Sequence, residues 1–445
     1  MTTNLPYPIG DHLILRYGRA SDAEELAQFN ATWLGDDGPE KPEEQLAIWT
    51  RDVMARPHPT FTPELTTIVE DTQTSKIVSS IMLFPQTWSL DGIPFGVGRP
   101  ELVATHPDYR GRGLIRRQME TLHAVSAAHG EVMQVITGIP WFYRQFGYEM
   151  ALELGGGRMA YRPNVPELPA GETEPFPIRP AGEADIPFIM QTYAHTSRAH
   201  GIACLRDAAM WQYELSGRSA GNAVREVVCI IEDTQGQPVG YLGHLDQLRR
   251  KGLNLEFAGI MEGVSWRDVT PGIMRHLWQA GEGQAAAAGL AGLDFIYFAL
   301  GPEHPIFQIF PNSFPRRRRP YAWYVRIADL PGFLTLIRPA LEARLAESAM
   351  CGYTGRFKLD FYRSGIELVL NKGRITSNEP WPPQPGSEEG HASIPDLHFI
   401  EMICGQKTFT ELVNFLPDCF ALQDEYASLL NILFPKRPSS VWGVV

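Results

Sequence analysis

Leu102-Val103-Ala104-Thr105-His106-Pro107-Asp108-Tyr109-Arg110-Gly111-Arg112-Gly113-Leu114-Ile115 decides how the rest of this 445-residue chain is read. Leu102 to Thr105 is apolar and ends β-branched, as in a strand. Pro107 and Asp108 turn the chain. Leu114, Ile115, Met119, Leu122 and Val125 then recur on one face of a helix. A glycine loop running into a helix start leaves backbone N–H groups unpaired and aimed outward, where phosphate oxygens bind. Gly111 and Gly113 let the backbone approach an anion closely, and Arg110 and Arg112 add charge-assisted donors. Taken alone, a basic turn capping an ordinary helix has the same pattern.

In its strand–loop–helix setting the stretch resembles motif A of the GCN5-related N-acetyltransferases (GNAT), Gln/Arg-x-x-Gly-x-Gly/Ala. It matches at Arg110 and Gly113 and departs at Ile115, which stands where the family has Gly or Ala. The resemblance implies that this loop holds the pyrophosphate of acetyl-CoA.

Composition sets the outer bounds. The length fits two to four domains, and the 44% apolar fraction is ordinary for a globular chain. A net charge of −12 argues against nucleic-acid binding and favours a cationic small partner. No apolar run has the length of a membrane span, and Met1 to Gly10 lacks a signal-peptide pattern. The five cysteines are scattered, with no Cys-x-x-Cys. Neither a disulfide framework nor a metal site is expected, and a cytoplasmic setting follows.

In chain order, His12 to Arg16 reads as a strand and Ser21 to Glu24 as a capping box opening a helix through Trp33. Thr66 to Glu70, Ile77 to Phe84 and a pair across Trp88 to Thr105, turning at Asp91-Gly92, read as strands. The helix after the glycine loop runs to about His129, followed by a strand at Val132 to Thr137 and by Tyr143-Arg144-Gln145-Phe146-Gly147-Tyr148. The order β-α-β-β-β-α-β fits the complete acetyltransferase fold that the motif-A resemblance implies. The pattern then restarts. Leu15-Arg16 with Asp22 is echoed by Ile178-Arg179 with Asp185, and Val69-Glu70-Asp71-Thr72-Gln73 by Ile231-Glu232-Asp233-Thr234-Gln235, at offsets of 163 and 162 residues. Two echoes in register point to a tandem duplication, joined by the Pro-rich segment Arg162 to Pro180. In the second copy Gly263 to Ile273 replaces the glycine loop, with a helix start at Thr270-Pro271, so this copy is expected to bind no CoA. Arg316 to Arg319 reads as a basic run in a solvated loop or in inter-subunit ion pairs. From Asp329 the chain reads as a third, smaller α+β domain: a helix from Leu330, a hairpin over Gly355 to Asn371, a loop at Asn378 to His391, a strand at Ile394 to Ile400, and helices at Phe409 to Asn414 and Ala421 to Leu433.

These three parts together resemble the Eis-type (enhanced intracellular survival) GNAT proteins. The implied fold is α/β (α+β): an active acetyltransferase domain over 1–161, a degenerate copy over 177–325, and a sterol-carrier-protein-like domain over 326–445. The resemblance assigns the pantetheine arm to the backbone of Leu102, Val103 and Ala104, and the pyrophosphate to Arg110, Gly111, Arg112, Gly113, Leu114 and Ile115. Tyr143, the first tyrosine of the family's Tyr-x-x-Phe-Gly-Tyr, becomes the general acid for the departing thiolate, with Phe146 and Tyr148 packing beside it. The C-terminal carboxylate, here on Val445, becomes the general base; an apolar tail around Trp442 merely docked on the core is the other reading. Trp33, Phe84 and Trp88 are candidate aromatic walls for the acceptor amine. His106 reads as structural or as a CoA contact. Asp36 and Asp37 read as a cation-attracting or merely exposed acidic turn. The implied protein is an acetyl-CoA-dependent N-acyltransferase for small amines of aminoglycoside or polyamine type, with no membrane partner and a homo-oligomer (trimer or hexamer). A non-catalytic acyl-CoA or lipid-binding module and a protein-lysine acetyltransferase are the alternatives.

Overall fold

The structure, a computed structural model, describes residues 5–35, 37–384, 390–439 and 441–443. The first part contains β1 (Tyr7–Gly10), β2 (Leu13–Tyr17), α1 (Ala23–Trp33), α2 (Glu44–Ala55), β3 (Thr66–Asp71), β4 (Lys76–Leu90), β5 (Ile93–Thr105), α3 (Leu114–Ala128), β6 (Glu131–Ile136) and β7 (Glu149–Leu154). The second contains β8 (Gly157–Ala160), β9 (Ile178–Pro180), α4 (Ile186–Ser197), β10 (Ile202–Cys204), α5 (Ala208–Ser216), β11 (Glu226–Glu232), β12 (Pro238–Leu245), β13 (Gly252–Ile260), α6 (Trp266–Ala287), β14 (Phe295–Phe298), α7 (Ile306–Ile309), β15 (Arg316–Arg318) and β16 (Tyr321–Arg326). The third contains α8 (Leu330–Ala346), β17 (Gly355–Asp360), β18 (Gly365–Asn371), β19 (Arg374–Pro380), β20 (Ala392–Ser393), α9 (Asp396–Ile403), α10 (Phe409–Phe415), β21 (Phe420–Ala421) and α11 (Asp424–Leu433).

Three sheets result, and the fold is mixed α/β. The first runs β1-β2-β3-β4-β5-β6-β16-β7, with β10 added to the far end of β4. The second runs β15-β8-β14-β13-β12-β11-β9, and the third β19-β18-β17-β20-β21. The sheets do not divide where the sequence suggested. β8, from the end of the first part, pairs with β14 and β15, while β16, from the end of the second, lies between β6 and β7. Trp323 and Val325 of β16 are thereby buried in one core with Trp88, Val97 and Val135. Such a long-range exchange leaves no local signal in either segment.

β4 shows why the first sheet is so apolar. Ile81 and Leu83 point to α3, while Met82 and Phe84 point to the α1–α2 side. Alternating side chains buried on both faces give a continuous apolar run. The two stretches expected as Ile77 to Phe84 and Trp88 onward are one strand, which carries Pro85 opposite Gly98.

The repeated residues form the same constellation twice. Arg16 donates to Glu70 at 2.7 Å and to Asp22 at 2.8 and 3.0 Å. Arg179 donates to Glu232 at 2.7 Å and to Asp185 at 2.8 Å through each terminal nitrogen. Each aspartate also accepts from a backbone N–H three residues upstream, Arg19 or Gly182, at 2.8 Å.

Some expected elements differ. Ile394 to Ile400 is not a strand: after the short β20 the chain enters α9 at Asp396, because a brief apolar run carries no period that separates strand from helix. α6 begins at Trp266, capped by Ser265, and Pro271 lies inside it rather than at its start. Arg316 to Arg318 is a charged edge strand, as suits an edge. No helix among the described residues is long and apolar enough to cross a membrane.

Candidate active site

β5 and β6 run parallel but stay paired only from Gly96↔Glu131 to Gly98↔Gln134. Beyond that they separate, and a cavity of about 940 Å³ fills the gap. Glu101 to Thr105 form one wall; Ile136 to Ile139, Phe142, Tyr143 and Phe146 form the other. β5 is bulged here. Met82 pairs with Glu101 and Ser80 with Ala104, so β5 spends one residue more than β4. Leu102 takes up the distortion at φ 51°, a conformation that costs a non-glycine residue about 1–3 kcal/mol and tends to persist at functional sites. A bulge releases backbone groups from the ladder, and the Leu102 N–H reaches the Glu101 carboxylate at a long 3.5 Å.

The glycine loop closes one end of the cavity. Gly111 and Gly113 have φ of 76° and 73°. Gly113 is the N-cap of α3 and offers no capping side chain, and the first turn of α3 carries no acid. The free N–H groups of that turn therefore remain available to an anion. Arg110, Gly111, Gly113, Leu114 and Ile115 line the cavity, as do Leu102, Val103 and Ala104. Arg112 does not. Its guanidinium lies over the Tyr109 ring at 4.8 Å and donates to the Asp108 carbonyl at 3.2 Å. Arg116, one turn into α3, lines the cavity in its stead. It was passed over because it lies beyond the motif.

Tyr143 sits at the opposite wall on a short turn, Phe142–Phe146, that Trp141 opens at φ 65°. Its ring is 2% exposed and packs edge-on against Tyr324 of β16, 5.5 Å away. Burial, reinforced by the Glu101 carboxylate and Tyr324, pushes its phenol well above the ordinary tyrosine range. It therefore keeps its proton at neutral pH and can act only as a donor of it. Tyr148 is fully buried and shares a 2.8 Å hydrogen bond with His123 Nε2, so it is a packing residue. Phe146 lies beneath the Arg116 guanidinium at 5.2 Å.

The C-terminal tail approaches this cavity from the second part. Trp442 packs on Phe257 at 4.1 Å, and its Nε1 donates to Glu226 at 2.8 Å. Arg206 stacks on its ring at 3.3 Å and donates to its carbonyl. One residue on, the Gly443 carbonyl accepts from Arg99 Nη1 at 3.1 Å. Arg99 is in turn paired with Glu101 at 2.7 Å, and Glu101 lines the cavity. The tail is thus anchored within one ion pair of the site. Val445 itself lies outside the described residues, as does Asp36.

Of the expected acceptor walls, the structure brings in only Trp33, whose ring meets His106 edge-on at 4.5 Å. Phe84 is fully buried, stacked on Phe61 at 4.7 Å. Trp88 is fully buried against Trp323 at 5.8 Å, with its Nε1 donating to Gln86 at 2.8 Å. Neither faces the cavity, because their strand is covered on both sides. His106 Nδ1 accepts from Asp108 N at 3.2 Å and caps the short turn, which is a structural task. Asp37 pairs with Lys41 at the surface. Trp49 is a second cavity residue, besides Arg116, that the sequence did not single out. It lines the cavity from α2, and its Nε1 is buried without a partner among the described residues. Leu46, Trp49 and Val53 have helical spacing, so the signal was there.

Residues 15–151 match the model of the Acetyltransferase (GNAT) domain family. That stretch runs from β2 into β7 and contains the glycine loop and the cavity. No curated protein matches it. Among solved structures it is similar to a probable N-acyltransferase of unknown function from Enterococcus faecalis V583, with 13% identity, a TM-score of 0.68, and 98% of this chain and 100% of that one covered. A GCN5-related N-acetyltransferase from Kribbella flavida follows at 16% identity and TM-score 0.61, covering 96% and 97%. Eis1 from Mycobacterium abscessus has 13% identity and TM-score 0.58, covering 96% and 99%. At these identities the likeness is one of fold, and it extends over nearly the whole chain. The Eis-type resemblance read from the sequence is met at that level.

Proposed function

We propose that this protein is an acyl-CoA-dependent N-acyltransferase that uses acetyl-CoA and a small amine. The observation that carries the reading is a single cavity shared by a bulged strand, an uncapped helix N-terminus behind a glycine loop, and a buried protonated tyrosine. Each part has a chemical task. The α3 N-terminus with Arg110 and Arg116 suits the pyrophosphate. The opened backbone of Leu102 to Ala104 suits the pantetheine amides, and an N–H near Val103 suits the thioester oxygen. Transfer is direct: the amine nitrogen bonds to the carbonyl carbon, the C–S bond breaks, and the thiolate takes the Tyr143 proton. The nitrogen gives its proton to a base. The Val445 carboxylate is the proposed base, supported by the tail being tethered as far as Gly443 beside Arg99 and Glu101. Trp33 and Trp49 are the proposed aromatic contacts of the acceptor, in place of Phe84 and Trp88.

The second unit is proposed as a duplicated copy without CoA. Its helix corresponding to α3 is α6, whose N-terminus is capped by Ser265 Oγ and carries Asp268 in its first turn, both unfavourable to a phosphate. The third sheet with α8 to α11 is proposed as the sterol-carrier-protein-like domain, the assembly as a trimer or hexamer, and the setting as cytoplasmic. The test is release of free CoA thiol from acetyl-CoA with a panel of polyamines and aminoglycosides. Amine-dependent release supports the reading; binding of acyl-CoA or lipid without release would favour a non-catalytic module, and release with lysine peptides alone a protein acetyltransferase.

A further inference from the structure

The contact between α6 and the second sheet gathers three metal-ligating side chains that acyl transfer does not use. Val227 of β11 pairs with His244 of β12, and Cys229 with Leu242, so Cys229 and His244 are diagonal neighbours on one face of the sheet. His276 of α6 lies over that face. One ligand atom from each of Cys229, His244 and His276 falls within 4.8 Å of the others, and Cys229 Sγ is 3.8 Å from His276 Nε2. A tetrahedral zinc site with Zn–S of about 2.3 Å and Zn–N of about 2.0–2.1 Å spaces sulfur and nitrogen about 3.6 Å apart.

The surroundings fit as well. His244 Nδ1 is 2.9 Å from the Leu245 carbonyl. As a donor there it leaves Nε2 unprotonated, the arrangement that orients metal-bound imidazoles. Gln284, two turns along α6 from His276, donates Nε2 to the same carbonyl at 3.2 Å, and its Oε1 is buried without a partner among the described residues.

The first sheet fills the corresponding place differently. Thr67 stands three residues before Glu70, as Cys229 stands three before Glu232. There Gln118 of α3 donates to the Thr67 carbonyl at 3.0 Å, and Ser79 Oγ donates to Gln118 Oε1 at 2.6 Å. Neutral hydrogen bonds join helix to strand in one unit; a thiol and two imidazoles meet in the other.

We propose that Cys229, His244 and His276 form a structural site for a zinc-class divalent cation, with a water or other oxygen donor completing the tetrahedron. On binding, the metal replaces the Cys229 S–H proton, which leaves to solvent, while the thiolate keeps the electron pair. The ion then clamps α6 onto β11 and β12, outside the proposed acyl-transfer cavity. The test uses the full chain. Co²⁺ loading should give about one equivalent per chain, with a near-ultraviolet thiolate-to-cobalt charge-transfer band and visible bands of a tetrahedral ion. Zn²⁺ should raise the melting temperature and a chelator lower it. Cys229→Ser should abolish the charge-transfer band. The double variant Cys229→Thr with His276→Gln copies the Thr67 and Gln118 side chains of the first sheet; it should fold, give no band and show no melting response to Zn²⁺. Absence of the band in the wild type, its persistence in the double variant, or a melting temperature indifferent to Zn²⁺ would overturn the proposal.

Discussion

Placing an aspartate at Gly113 separates the backbone role of this position from its electrostatic one. Gly113 caps α3 at φ 73°, and a Cβ there would meet nothing within 4 Å. Gly113→Ala therefore costs only the left-handed conformation, about 1–2 kcal/mol. Gly113→Asp bears a similar backbone cost, partly offset because an acid at a helix N-terminus is favourable in the unliganded protein. With CoA present the sign reverses. A carboxylate about 5 Å from a phosphate oxygen, at an effective dielectric of about 20, repels it by about 3 kcal/mol, or about 10²-fold in affinity. Calorimetric titration with CoA should show a loss of under about tenfold for Gly113→Ala and about a hundredfold for Gly113→Asp. The two unliganded variants should melt at similar temperatures. Wild-type CoA affinity in Gly113→Asp would refute the placement of the pyrophosphate on this loop.

Tyr143→Phe should lower kcat by about 10²–10⁴-fold with little change in CoA affinity, as steady-state kinetics and titration would show. Since the Tyr143 phenol is raised by burial, its loss of a proton should not limit the wild-type rate until the pH is strongly alkaline; an activity collapse near neutrality that vanishes in Tyr143→Phe would contradict this. Arg16→Ala and Arg179→Ala break the same constellation in the two units, but the Arg16 side chain is 13% exposed and that of Arg179 41%. Urea unfolding should find a cost of about 2–3 kcal/mol for Arg16 and under about 1 kcal/mol for Arg179; equal costs would count against burial as the cause. Glu226 is raised well above the usual carboxylate range, by burial first and then by Glu214. An acid with a raised folded pKa destabilises the fold increasingly as pH climbs above its unfolded pKa of about 4.3. Glu226→Gln keeps an oxygen for Trp442 and should be more stable than the wild type at pH 8, with the gain fading towards pH 4; a loss at pH 8 would mean Glu226 stays ionised against Arg206 and Arg218.

What was legible in the sequence was what a short stretch can specify. Positive φ at Gly111 and Gly113 demands glycine, so the loop before α3 announced itself. The Arg16 and Arg179 constellations survived as repeated residue types because each ion pair needs those groups at that spacing. The Leu102 bulge left no mark, since it arises from the register of β4 against β5. Phe84 and Trp88 were misplaced because an aromatic residue on a strand reveals which face it shares, not what covers that face. α2 was missed between louder signals, and with it Trp49. The passage of β16 into the first sheet depends on contacts with strands far away in sequence, and β16 supplies Tyr324 against Tyr143.

The central claim is acyl transfer at the cavity between β5 and β6, and thiol release from acetyl-CoA with and without amine tests it most directly. The account predicts release that depends on an amine, yields an acylated amine by mass spectrometry, and falls in both Tyr143→Phe and Gly113→Asp. Tight CoA binding with no amine-dependent release, or release unaffected by both substitutions, would contradict it.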